Sequence, residues 1–347
     1  MADHVTAELR ALGLDVAEDD AGARIGADAG NLLARIPGRS ADSVLLCAHL
    51  DTVPHESAIE PVLVDGGWES AGDTILGADN KAAVAMLLEL ARRTAIEGSP
   101  VGIELLFTVS EERALAGAAA FDIGTLESPF GYVFDHASPI GEIVVASPTY
   151  MRWQADFAGQ AAHAGLHPEE GRSAILAAAR AIATLPHGRI DDETTVNVAQ
   201  IRGGVAGTNV VPARCTVVGE ARSLSDAALE EVMAEVVDAL QDAANDPECS
   251  CDVDLTVERL FAGYRRKTSS PPVQAAEAAL RERGYAPRRI LSGGGSDANA
   301  FEAAGFTCVN LANGTERAHE PTERVSQASL EGMLDVTYAL LDELGGG

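Results

Sequence analysis

Three stretches of the chain are apolar enough to lie inside a sheet: SVLLCAHL (43–50), GIELLFTVS (102–110) and PFGYVFD (129–135), each bounded by turn-forming residues. Between the first two, NKAAVAMLLELARRTA (80–95) has apolar residues at helical spacing and no internal Gly or Pro, which predicts a helix. Strand, helix, strand in this order implies a parallel sheet covered by helices. From about residue 262 the same style returns, with a helix near 272–284, a strand at RRILSG, a helix after Ser296, a strand at FTCVNLA and a last helix over 328–345.

The middle third reads differently. An extended run (TYMRWQADFAG), a helix over 173–185, two strands (TTVNVAQIRG and ARCTVVGEARS), a helix over 225–243 and a strand (CDVDLTVE) give the order βαββαβ, the split pattern of a ferredoxin-like layer. The expected organisation is an α/β domain in two pieces, 1–146 and 261–347, with a mostly parallel sheet and helices on both faces. A smaller domain is inserted over 147–260. No internal repeat, heptad array or low-complexity linker interrupts this plan.

Composition narrows the class. Of 347 residues, 46% are hydrophobic, which excludes a disordered chain. No run of roughly 18 apolar residues occurs, and MADHVTAELRALG carries no apolar leader, so a soluble cytoplasmic protein is expected. The five cysteines are scattered without a C-x-x-C pair and read as buried thiols. The formal net charge is −28, and lysine occurs only as Lys81 and Lys267. Such a surface repels itself least where salt shortens the screening length to roughly 3 Å near 1 M, so adaptation to high salt is expected. The same field opposes nucleic acid and anionic membranes, which need basic clusters, and favours polycations and metal ions.

Candidate chemistry sits at the strand ends. His49 and Asp51, in AHLDTV, face the same side of an extended backbone, which suits an imidazole ligand oriented by a carboxylate. Alone, H-x-D is weak and reads better as a surface histidine at a strand end. Asp79 precedes a predicted helix, where an Asp is ordinarily a cap, or a ligand if the loop converges on His49. Glu111 and Glu112 follow a run apolar enough to be central, and central parallel strands aim their C-terminal ends at a ligand crevice. Two unpaired carboxylates there would raise each other's pKa, and a divalent cation resolves the conflict: one carboxylate binds it while the other takes a proton from an activated water. Asp135 ends the next strand, and His319 lies far along in GTERAHEP. Two imidazoles with three carboxylates suit zinc, cobalt or manganese better than calcium or copper.

The motifs AHLDTVP (48–54), GDTILGADNKAAVAMLLEL (72–90), TVSEE (108–112), FDHASPIG (134–141), AAHAGLHPEEGRSAI (161–175), GTNVVPARCTVVGEARS (207–223), SGGGSDANAF (292–301) and AHEPTERV (318–325) cover nearly the whole chain. In this order they resemble the co-catalytic di-zinc peptidases related to peptidase T, carboxypeptidase G and acetylornithine deacetylase, and most nearly the peptidase T-like tripeptidase branch. The resemblance implies that Asp79 bridges two divalent ions, most simply zinc, with His49 and Asp135 completing one site and Glu112 and His319 the other. It implies Glu111 as general base and later proton donor, with Asp51 orienting His49. Two ions of this kind lie roughly 3.5 to 4 Å apart. In the inserted lid or dimerisation domain, His163 matches a position that stabilises the oxyanion, reaching across from a partner subunit in dimeric members. Asn209 and Arg222 match residues that hold substrate carboxylate and backbone, for which an Arg fork is suited. SGGGSDANAF lacks the spacing of a phosphate loop, and the resemblance places Gly294 and Asp297 beside substrate.

Members of this family carry a further helix before the segment matching LRALGLDVAEDDAG, where this sequence has only MADHVTAE. The expected activity is a metal-dependent aminopeptidase releasing N-terminal residues from short peptides, with closure of the smaller domain over the substrate and a possible homodimer through it. The alternatives are an N-acyl amino acid deacylase on the same scaffold and a catalytically inactive metal-bound scaffold, against which the presence of Glu111 argues.

Overall fold

Alternation along the buried strands sorts their side chains onto two faces of one sheet. In Ser43–His49, Val44, Leu46 and Ala48 join one core while Leu45 and Cys47 join another. Gly102–Thr108 divides likewise, with Ile103, Leu105 and Phe107 against Leu106, and Phe130–His136 puts Tyr132 and Phe134 opposite Val133. The helices Ala78–Glu97, Pro271–Glu282 and Gln327–Leu344 cover the first face. The shorter Ala116–Ala120 and Asp297–Ala303 cover the second, where Phe301 packs edge-on to Phe121 and Phe306.

The computed structural model describes residues 1–346. They form two compact units, one of Met1–Ser147 together with the chain from Tyr264 onward, the other of Pro148–Gly263. The first unit holds a nine-stranded sheet. Its centre is parallel: Gly102–Thr108, Ser43–His49, Phe130–His136 and Thr307–Ala312 lie in that spatial order. Antiparallel strands flank it, Leu32–Ile36 on one side and Glu142–Ser147 on the other. Where the chain leaves and re-enters this unit, Ser147 and Tyr264 are antiparallel partners. Leu32–Ile36 and Glu142–Ser147 add to the strands expected from the sequence, as do those of a separate four-stranded sheet, Pro61–Val64, Gly67–Ser70, Arg324–Ser326 and Thr315–Glu316.

The second unit is an antiparallel sheet of five strands, among them Thr149–Ala158, Thr194–Gly203, Arg214–Ser223 and Asp252–Phe261. The helices Ala174–Thr184 and Asp226–Asn245 pack on it around their own core, built on Trp153, Phe157 and Val217. Each helix is capped as its sequence suggests: Ser173 accepts from the Leu176 N–H and Ser225 from the Ala228 N–H. No helix among the described residues is long and apolar enough to cross a membrane.

Candidate metal centre

The C-terminal ends of three parallel strands bring the first side chains to one rim of the larger unit. His49 is the last residue of its strand, Asp135 is next to last in its own, and Glu111 and Glu112 follow Thr108 after a short turn. Ser110 in that turn has φ 54°, a left-handed conformation that turns the chain sharply just before the two glutamates. Asp79 enters from the head of Ala78–Glu97, where its own φ and ψ (−79°, 102°) are not helical. Gly77 before it has φ 74°, a conformation that glycine adopts at little cost. His319 comes from the loop between Thr315–Glu316 and Arg324–Ser326 and also has positive φ.

These side chains meet. Asp79 reaches both histidines: its Oδ1 lies 3.2 Å from His49 Nε2 and its Oδ2 lies 3.3 Å from His319 Nε2. Asp135 Oδ1 stands 3.4 Å from His49 Nε2, and Glu112 Oε1 stands 2.9 Å from His319 Nε2. Ligand-capable atoms of His49, Asp79 and Glu112 all lie within 4.8 Å of one another, as do those of His49, Glu111 and Asp135. Asp51 Oδ1 is 3.4 Å from His49 Nδ1. The same Asp51 carboxylate accepts from the backbone N–H of Glu111 (3.0 Å) and of Glu112 (3.1 Å), so it also fixes the turn that carries both glutamates.

Electrostatics shows what the cluster needs. Burial and the neighbouring Asp135 carboxylate hold the Glu111 carboxyl well above the usual carboxylate range. Burial likewise pushes Asp135 up to about 7, against the pull of His49. Burial would raise Asp79 too, but hydrogen bonds from His319 and His49 outweigh it and hold that carboxyl far below its ordinary value. Hydrogen bonds to Asp79 and Glu112 in turn raise His319 to about 10. Four carboxylates around two imidazoles thus compete for too little positive charge. Mixed nitrogen and oxygen donors in such an arrangement fit a pair of divalent cations.

Several supporting residues were not singled out from the sequence. Asn80 donates from Nδ2 to Asp135 Oδ1 (2.6 Å) and to the Phe134 carbonyl (2.8 Å). Lys81 donates to the Asp51 carbonyl (3.2 Å). Glu323, 1% exposed, accepts from the Gly77 N–H (2.7 Å) and the Asp79 N–H (2.8 Å). Asn80 and Lys81 could have been suspected from their adjacency to Asp79; Glu323 could not, because its partners lie more than two hundred residues away in the chain.

Asp297 is 1% exposed and accepts from Thr108 Oγ1 at 2.5 Å. Burial drives its carboxyl up to about 6. Gly294, in the turn just before it, is partly exposed, and its carbonyl accepts from Ser147 Oγ and Ser292 Oγ. The other substrate candidates belong to the second unit. His163 and Asn209 are exposed and adjacent, joined by the Ala164 N–H donating to the Asn209 carbonyl (2.9 Å) and by the bridge from His163 to Val210. Arg222 is not part of that pairing: its Nε is 3.1 Å from Glu220 Oε1, and its guanidinium stacks 4.2 Å from the Tyr150 ring centroid.

A cluster of histidines and carboxylates able to hold metal ions at the rim of such a sheet, in a chain that also carries a ferredoxin-like unit, is in keeping with a metallopeptidase. Residues 145–247 match the family described as a peptidase dimerisation domain of M20 type, and residues 31–130 match peptidase family M28. The Bacillus subtilis protein YqjE is 36% identical over 334 residues, spanning 96% of this chain and 89% of that one. A crystal structure of aminopeptidase PepT from Bacillus cereus is 37% identical, with a TM-score of 0.86 over 99% of this chain and 92% of that one. A tripeptidase structure from Staphylococcus aureus is 32% identical, with a TM-score of 0.92 over the same shares. The chain belongs to the M20 peptidase family, among its peptidase T-like members.

Proposed function

We propose that the protein is a metal-dependent aminopeptidase acting on short peptides, tripeptides foremost, through two divalent cations at the sheet rim. The observation that carries this is the geometry of Asp79, one carboxylate with an oxygen turned to each of two histidines, as a ligand shared by two ions requires. Asp79 would bridge, His49 and Asp135 would complete one site, and Glu112 and His319 the other. The donor set suits zinc, with cobalt or manganese as substitutes. When bound, such a pair polarises the scissile carbonyl and lowers the pKa of water.

The remaining steps fall to the chain. Glu111, beside His49 and Asp135, would take a proton from the attacking water and return it to the departing amine. Asp51 would hold His49 in the tautomer that frees Nε2 for a ligand bond, while its two backbone contacts keep Glu111 and Glu112 apart in role. In the second unit, His163 would serve the oxyanion, and Asn209 and Arg222 would hold peptide backbone and carboxylate. The match to a dimerisation domain supports a homodimer through that unit. Five free, buried cysteines support a reducing compartment, in keeping with a cytoplasmic enzyme. The net charge of −28 supports work in concentrated salt.

The test compares tripeptides, dipeptides and N-acetyl amino acids as substrates with zinc, cobalt or manganese. Glu111→Ala should retain about two ions per chain and lose at least about a hundredfold in rate, as removal of a general base does. Asp79→Ala should lose the ions themselves. Full activity in Glu111→Ala, or turnover of N-acetyl amino acids alone, would defeat the reading.

A further inference from the structure

Asp79 could span two ions only if its backbone is held still, and the helix behind it does not do this. With non-helical φ and ψ, its N–H lies outside the helical ladder and needs another acceptor. That acceptor is Glu323 Oε1, while Glu323 Oε2 takes the N–H of Gly77 two residues earlier. Both bonds are short and charge-assisted. Glu323 is four residues beyond His319, so a single loop delivers His319 to the cluster and anchors the backbone beneath Asp79. Its carboxylate is 1% exposed, and a buried carboxylate persists as a charge only where donors converge on it.

We propose that Glu323 is a positioning residue of the two-ion centre: by accepting from Gly77 N and Asp79 N it fixes the Asp79 carboxylate relative to His319, and so sets how tightly the ion pair is held. The inference rests on reading Asp79 as the bridging ligand. A carboxamide at 323 could accept from only one of the two N–H groups and would turn its own N–H₂ toward the other. An aspartate keeps the charge but is one methylene too short to reach both. Outer-shell partners of this kind set metal affinity by about 10- to 100-fold.

The experiment titrates metal-stripped protein with Co²⁺, following heat release and visible absorption, in wild type, Glu323→Gln, Glu323→Asp, Asp79→Asn and the control Glu277→Gln. Glu277 is a buried carboxylate paired with Arg281 and Arg289 outside the cluster. Wild type and Glu277→Gln should take up two ions with equal affinity. Both Glu323 variants should bind at least one ion about tenfold or more weakly and show an altered cobalt spectrum, while their melting in chelator shows that they are folded. Wild-type affinity in Glu323→Asp together with weakening in Glu323→Gln would mean that charge, not position, matters, and would overturn the inference. So would wild-type affinity in both. If wild type itself takes up fewer than two ions, or Asp79→Asn binds like wild type, the parent reading of Asp79 fails first.

Discussion

At the scale of single residues, the adjacent glutamates 111 and 112 are kept in different surroundings by a third carboxylate. Asp51 holds both of their N–H groups, and a left-handed Ser110 sets the turn before them, so Glu112 meets His319 while Glu111 stays with His49 and Asp135. The pairing of His319 with Asp79 and Glu112 has a measurable sign. Its pKa, raised from the ordinary 6.5 to about 10, contributes stability that is fully present below pH 6.5 and is lost as pH rises through about 10. Chelator-treated protein should therefore melt at progressively lower temperature from neutral pH to pH 10. His319→Ala should flatten that slope; an unchanged slope would show that His319 is not held this way. The residue types of the cluster were legible because His, Asp and Glu recur at predicted strand ends. The residues that hold them, Glu323 above all, were not, because a hydrogen bond across the fold leaves no local mark. The burial of Asp297 was not legible for a related reason, since a charged residue in a glycine-rich turn gives no sign of it.

At the scale of elements, continuous apolar runs such as those at 43–50 and 102–110 identify strands buried on both faces, whereas burial alternates along 149–158 and 214–223, strands covered on one face. Strands of two to four residues, as in the sheet formed by 61–64, 67–70, 315–316 and 324–326, are too short to show a period, and the pairing of 67–69 with 324–326 that joins its two halves is distant in sequence. In the second unit the packing includes a close approach at Gly219. A Cβ at Gly219 would lie 2.1 Å from Trp153 Cζ2 and 2.6 Å from the Asn197 carbonyl. Gly219→Ala should destabilise that unit by about 1 to 3 kcal/mol, the usual cost of overpacking, visible in calorimetry as a lowered transition. A melting profile identical to wild type would show that the indole has room to move.

At the scale of the whole molecule, charge dominates. Of the two lysines, Lys81 is engaged with Asp51, which leaves the acidic exterior to arginine, Lys267 and dissolved cations. The screening length falls from about 10 Å at 0.1 M to about 3 Å at 1 M salt, so the melting temperature should climb by several degrees over that range. A flat or falling curve in potassium chloride would refute the proposed adaptation. The pairing of Ser147 with Tyr264 has a different consequence. The polypeptide departs from and rejoins the larger unit at one spot, with the two ends only about 5 Å apart, a gap that a hairpin of two residues closes. Genetic excision of 148–263 across that junction would yield a minimal cation-binding module, a scaffold onto which other recognition domains could be spliced.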